Sequence, residues 1–323
     1  MVWGRCLTMV LMSKTEKFEV TPTGPFELAQ QNRYFGGWPE VDGAVVMCFP
    51  VEGWRTSAAV ALRQQGTTVS GEVTGAGADA GKACAQALAA LSLDFDGAGY
   101  AEVGRRDPAV GRLQEEYQYL RPSLFHSPYE AAAGFTIGHR IQISQARRIR
   151  QQMSETHGAA LKVGNTRLHA FPTPLKLREL SDFTGLSQVK VERLQAIAQA
   201  ALDGWLDRDA LRAMPVDDAL AKLQTLPGVG PFFSQGILTR GAGLTDSFTD
   251  DDMTVRAVKA ACGLPDGAGL PEVLERMEAW RPYRMWCEVL MHVWYRSQPG
   301  VGQGLRGGGR KAAEKAGRKQ PRG

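Results

Sequence analysis

The 323-residue chain has only five cysteines, and Cys6, Cys48, Cys84, Cys262 and Cys287 are scattered without C-x-x-C spacing. That pattern argues against a zinc site, an iron–sulfur cluster or a disulfide framework, and the five read as packing residues. Long apolar runs are missing as well. No stretch approaches the roughly 18 residues of a membrane span, and the N-terminal MVWGRCLTMVLMSK is too short and polar for a secretory h-region. A cytoplasmic protein without a membrane partner is therefore expected, with Met9 and Met12 as alternative starts. A large excess of charge is also absent. The formal net charge is +4, but the tail LRGGGRKAAEKAGRKQPRG holds seven basic residues against Glu314, a net of +6, which leaves the rest near −2. The body is thus no globally basic polyanion binder, and affinity for nucleic acid must come from local groups or from the tail.

What is present is an apolar fraction of 43%, enough for a substantial core and for two domains or more. The texture changes near Arg121. Before it, GAVVMCFPV (43–51), SAAVALRQ (57–64) and TTVSGEVTG (67–75) read as strands, followed by an Ala/Leu-rich helix from about Asp79 to Leu93. After RPSLFHSPYE the strand signals stop and helices with short joints follow. In VKVERLQAIAQAALDG, residues Val191, Leu194, Ala198, Ala201 and Leu202 make one apolar stripe, with Gly204 placed to end the helix. The expected organisation is an N-terminal extension (1–20), an α+β domain (21–120), a helical domain (121–300) and a basic, disordered tail (301–323).

Within the helical part, LPGVGPFFSQGILTRGAGLTDSFTDDD (226–252) follows the short helix VDDALAKLQT. The pattern is helix, hairpin, helix. Gly228 and Gly230 allow close backbone approach, Pro231 suits the first position of a helix, and the free amides there suit one phosphate oxygen. The same turn also fits a plain helical corner. Asp250, Asp251 and Asp252 precede the helical MTVRAVKAACG, where acidic groups cap a helix start; they read equally as a buried anion for catalysis, whereas three adjacent carboxylates point apart and make a poor magnesium site.

The run from Leu226 to Gly243 with DSFTDDDMTVR resembles the helix-hairpin-helix DNA glycosylase superfamily, in particular its 3-methyladenine DNA glycosylase II branch. LRPSLFHSPYEAAAGFTIGHRIQISQA (120–146), FPTP (171–174), GLSQVKVERLQAIAQAALDG (185–204) and WRPYR (280–284) extend the resemblance over about 120–295. It implies a mainly α fold with an α+β N-terminal domain, of the helix-hairpin-helix DNA glycosylase type. It also implies a monomeric base-excision enzyme that flips alkylated purines out of duplex DNA and releases them. No cofactor is implied, beyond a monovalent cation at the hairpin.

Residue by residue, the resemblance assigns catalysis to Asp252, whose carboxylate would stabilise an oxocarbenium-like sugar and orient a water. Leu226, Gly228, Val229 and Gly230 would meet the DNA backbone. His139 and Arg140 would fill the vacated base stack. Phe232, Trp286, Trp294 and Tyr295 would hold the flipped, cationic base by stacking and cation–π attraction. Bifunctional members carry a lysine where Phe232 stands, and cluster-bearing branches carry four C-terminal cysteines where this chain has Cys287. Both departures imply a monofunctional glycosylase that leaves an abasic site. Gly236 departs from a common tyrosine, and the interval from Arg284 to Trp294 is about two residues longer than the family pattern. The competing readings are a non-catalytic DNA-damage binder, a glycosylase of other lesion specificity and a metal-dependent nuclease.

Overall fold

The structure, a computed structural model, describes residues 8–10, 16–35, 38–299 and 301. Most of the expected N-terminal extension and all of the basic tail from 302 onward lie outside the described residues.

Strands β1 (Thr8–Val10), β2 (Glu16–Val20), β3 (Glu40–Val41), β4 (Ala44–Pro50), β5 (Ser57–Gln65) and β6 (Thr68–Thr74) form one antiparallel sheet, with α1 (Leu28–Phe35) between β2 and β3 in the chain. Its order is β1-β2-β6-β5-β4-β3. In β6, Val69 and Val73 are buried while Thr68, Ser70, Glu72 and Thr74 are half-buried, the alternation of a sheet with one covered face. β4 and β5 are buried almost throughout because both faces are covered. Met47, Phe49, Val60 and Leu62 pack on α2 (Ala80–Ala90), and Val46, Ala59 and Ala61 pack on Leu161. Leu161 belongs to a hairpin, β7 (Ala160–Val163) and β8 (Thr166–His169), that the sequence pattern did not predict after residue 130. Its signal is short: a two-residue Gly164-Asn165 turn with Gly164 at φ +56° between four-residue strands.

The rest is helical: α3 (Tyr100–Arg106), α4 (Pro108–Glu116), α5 (Pro128–Gly138), α6 (Ile143–His157), α7 (Pro174–Arg178), α8 (Gln188–Leu202), α9 (Arg208–Ala213), α10 (Val216–Gln224), α11 (Pro231–Gly236), α12 (Asp252–Cys262), α13 (Leu270–Glu278) and α14 (Arg284–Ser297). The fold is mainly α with an α+β N-terminal part. Two helical cores form. Ile137, Leu194, Ile197, Leu223 and Ile237 join α5, α8, α10 and the hairpin, whereas Val103 and Leu113 of α3 and α4 pack with Val258, Met277 and Leu290 of α12 to α14. The expected stripe on α8 faces the first core, and Gly204 ends that helix at φ +77°. Trp54 ties the sheet to the helices: its ring meets Tyr129 at 5.2 Å, and its Nε1 donates to the Ala201 carbonyl at 3.0 Å.

Candidate active site

Residues 226–230 form the turn between α10 and α11, and Pro231 is the first residue of α11. Leu226 and Val229 are only 6% and 5% exposed, so any contact they make with DNA is through the main chain of the turn. Their side chains hold the hairpin from inside, because an apolar anchor gains more from the core than from a phosphate. Gly228 and Gly230 are exposed. Gly228 sits at φ +82°, and a Cβ there would lie 2.5 Å from Arg193 Nε, so the glycine both makes the turn and admits a guanidinium beside it. Among the described residues no side chain caps the start of α11, which leaves its first amides to an outside acceptor.

The second helix runs on through wider turns to Ala242. Asp251 is the N-cap of α12, its Oδ1 accepting from the Thr254 amide at 2.7 Å. Asp252 is the first residue of α12 and its side chain is 97% exposed, with Arg256 at 3.9 Å, which corrects the expectation of a buried anion: a first-turn side chain at this helix start points to solvent. Among the described residues no three His, Cys, Asp or Glu side chains converge to hold a metal ion. The WRPYR motif has a local purpose. Arg284 Nε donates to Asp246 Oδ1 at 2.8 Å and Arg284 Nη2 to the Asp246 carbonyl at 2.6 Å, while the Met285 amide donates to the Thr245 carbonyl at 2.9 Å. The start of α14 thereby fixes the start of the segment that leads to Asp252.

Further along α14, Glu288 and His292 face α12. Glu288 Oε1 accepts from the Thr249 amide at 3.1 Å and from Thr254 Oγ1 at 2.7 Å, and His292 Nε2 lies 3.2 Å from the same hydroxyl. Burial pushes the Glu288 carboxyl up to about 7, against the two hydrogen bonds that favour its charged form. Burial, then the charges of Arg296 and Arg240, hold the His292 imidazole down to about 3. Three of the residues expected to hold the base share α14 with Glu288 and His292. Trp286 lies two positions before Glu288 and Trp294 two after His292, about 200° around the helix, whereas Tyr295 lies seven positions after Glu288, on the same face. Trp286 is fully buried, with Tyr100 edge-on at 5.1 Å, and Trp294 lies half-buried under the Arg112 guanidinium at 5.4 Å, toward α4. Tyr295 is half-buried against the same core as Trp286.

Phe232 is the exposed aromatic of the site, at 50%. Next to it, Phe233 stacks on Phe135 of α5 at 5.5 Å, and Phe135 occupies the space over Gly236, where a Cβ would meet its ring at 2.7 Å. The glycine that departs from the family pattern is therefore filled by an aromatic ring from another helix. His139 ends α5, half-buried and edge-on to Phe233 at 5.4 Å, and its pKa is lowered by burial first and then by Arg140, Lys190 and Arg193. Arg140 is exposed and held at φ +57°, a conformation costly for a side chain of its size. Lys190 Nζ donates to the carbonyls of Ile137 and His139, both at 2.8 Å, and so pins this joint. The hairpin, the joint and α8 thus gather Arg140, Lys190 and Arg193 at one place on a body of near-zero charge. Sequence reasoning missed Lys190, Arg193, Glu288 and His292. Only the helical spacing of the last two, four apart and four or more from Arg284, marks them as a shared face.

This architecture, a helix-hairpin-helix with a carboxylate-bearing helix just after it, is that of the helix-hairpin-helix DNA glycosylase fold, and both sequence and structure comparisons liken the chain to glycosylases. No family model matches the chain. It is 26% identical over 193 residues to DNA-3-methyladenine glycosylase 2 of Escherichia coli (strain K12), covering 58% of this chain and 64% of that protein. It is 23% identical over 203 residues to the DNA-3-methyladenine glycosylase of Bacillus subtilis (strain 168), covering 61% and 67%. The matches thus span about two thirds of the length of these curated relatives. The fold of the 3-methyladenine DNA-glycosylase from Archaeoglobus fulgidus superposes with a TM-score of 0.70 at 17% identity, covering 86% of this chain and 97% of that one. Both of these curated relatives carry the name DNA-3-methyladenine glycosylase, the branch that the sequence resembles.

Proposed function

We propose that the protein is a monofunctional DNA glycosylase of base-excision repair, acting as a monomer on duplex DNA and releasing alkylated purines of the 3-methyladenine type. The observation that carries this reading is the exposed Asp252 carboxylate at the start of α12, one segment beyond a hairpin with uncapped amides. Asp251 is committed to the Thr254 amide, which leaves Asp252 free to face a sugar. As the glycosidic bond breaks, positive charge grows on the sugar, and a fixed anion stabilises it while orienting a water.

Phe232 would stack on the flipped base, and a cationic alkylated purine gains a further attraction from its ring face. Arg140 would enter the gap in the helix. Gly228, Gly230 and the start of α11 would hold one phosphate, with a monovalent cation at the turn carbonyls and Lys190 and Arg193 supplying local positive potential. No lysine stands at 232, and Lys190 is spent on two carbonyls, so the product is an unbroken strand with an abasic site.

The test is release of free base from methylated duplex DNA by the purified chain in EDTA. The expected result is free methylpurine, an alkali-labile strand and no covalent protein–DNA adduct after borohydride. Binding without release would make the protein a damage binder, loss of activity in EDTA a metal-dependent nuclease, and a trapped adduct a lyase.

A further inference from the structure

A carboxylate that is 3% exposed costs free energy unless its acceptor capacity is used. Glu288 uses it in one direction. Among the described residues both of its hydrogen bonds go to the segment that carries the aspartates: one to the Thr249 amide, two residues before Asp251, and one to the Thr254 hydroxyl, two residues after Asp252. The single oxygen Oε1 accepts both. Since the Thr254 hydroxyl spends its proton on Glu288, it must accept from His292 Nε2–H, which fixes the neutral imidazole in one tautomer. The Thr254 amide in turn caps on Asp251. The chain of contacts is His292, Thr254, Glu288, Thr249, and it brackets Asp251 and Asp252 from both sides.

The charged groups that face this chain are Asp251 from the start of α12, Arg240 from the second hairpin helix and Arg296 one turn beyond His292. Among the described residues Asp252 itself pairs with Arg256 of its own helix alone, at an exposed distance of 3.9 Å that fixes little. Its position therefore depends on how the backbone from 249 to 254 is held. At the front end, Asp246 is tied to Arg284 at the start of α14; at the back, the ties run to Glu288 and His292.

We propose that Glu288 is a positioning residue for base release, holding the Thr249–Thr254 segment so that the Asp252 carboxylate stays aimed at the sugar. The inference rests on the reading of Asp252 as the catalytic carboxylate. What Glu288 supplies is an acceptor at one place, so glutamine substitutes for it and leucine does not.

The experiment compares Glu288→Gln and Glu288→Leu in the full-length chain by single-turnover base release from methylated duplex DNA, with amide hydrogen exchange at Thr249 measured on the free protein. Glu288→Leu should lose about 100-fold in rate with little change in affinity for DNA, the size of effect expected when a reacting group is displaced by about 1 Å. Glu288→Gln should recover the rate to within about tenfold of the parent and keep the Thr249 amide protected, since its Oε1 can accept both hydrogen bonds. Should Glu288→Leu fail to fold, Thr254→Val removes the back tie without changing the volume and should produce the same loss in rate. A folded Glu288→Leu with parental rate, or equal loss in the glutamine and leucine variants, would overturn the proposal. The exchange measurement separates the two readings. If the parent releases no base, the glycosylase reading fails, while unchanged Thr249 protection in Glu288→Leu would sink the positioning role by itself.

Discussion

Phe232 and Trp286 are both aromatic residues of the C-terminal half, and their surroundings give them opposite work. Phe232 is half exposed beside the hairpin, whereas Trp286 is fully buried among Tyr100, Phe95 and Tyr283. Trp286→Ala should therefore cost about 3–5 kcal/mol of stability, read by chemical denaturation, the usual range for deleting a large core ring. Phe232→Ala should cost about 1 kcal/mol or less in stability. The same change should lower base release by roughly tenfold or more, as removal of a cation–π attraction of about 1–2 kcal/mol implies. Normal release by Phe232→Ala would remove it from the base site. Phe232 was legible because the hairpin fixes its register: Pro231 starts the helix and the next side chain points out. Trp286 was not. A tryptophan on a helix has no mark in its own sequence for which of two packed faces it takes; that is decided by Glu288 and His292 turning the other side of α14 toward α12.

At the scale of elements, α14 acts as the back wall of the site, and its charge state couples to stability. Glu288 has its folded pKa raised to about 7 from an ordinary 4.5. A raised carboxyl contributes stability that is complete below about 4.5 and is lost as pH climbs through about 7, because the folded chain keeps a proton that the unfolded chain releases. The stability difference between Glu288→Gln and the parent should therefore shift in favour of the variant between pH 4.5 and 8, by up to about 3 kcal/mol. Burial first, opposed by the hydrogen bonds from Thr254 and Thr249, sets where within that window the change is centred, with Asp251 and Arg240 as the charges that face the group. Denaturation of both proteins across this range checks it, and a difference independent of pH would show that Glu288 is ionised throughout. The strands β4 to β6, the helix α8 and the hairpin were legible from their periodicity and turns. The β7–β8 hairpin was not, since four-residue strands carry too few alternations to stand out from a helical neighbourhood.

Over the whole molecule, charge is divided in a way that the composition conceals. The described body gathers Arg140, Lys190 and Arg193 beside the hairpin, while the tail from 305 onward holds a net +6 and lies outside the described residues. Deleting residues 306–323 should weaken nonspecific DNA binding and flatten its salt dependence by about 0.9 log–log units for each phosphate that the tail no longer neutralises, leaving base release at saturating enzyme intact. An unchanged slope in a filter-binding titration would take the tail out of DNA binding. In the proposed function the chemistry falls to one carboxylate, Asp252, which the family resemblance singles out and which is exposed. The most direct measurement is single-turnover base release from methylated duplex DNA by Asp252→Asn beside Asp251→Asn. Asp252→Asn should lose at least about a thousandfold in rate with DNA affinity within a few-fold of the parent, the scale of removing a charge that stabilises a transition state, while Asp251→Asn, whose amide oxygen can still cap α12, should lose far less. Near-parental release by Asp252→Asn, with the large loss in Asp251→Asn, would contradict the account.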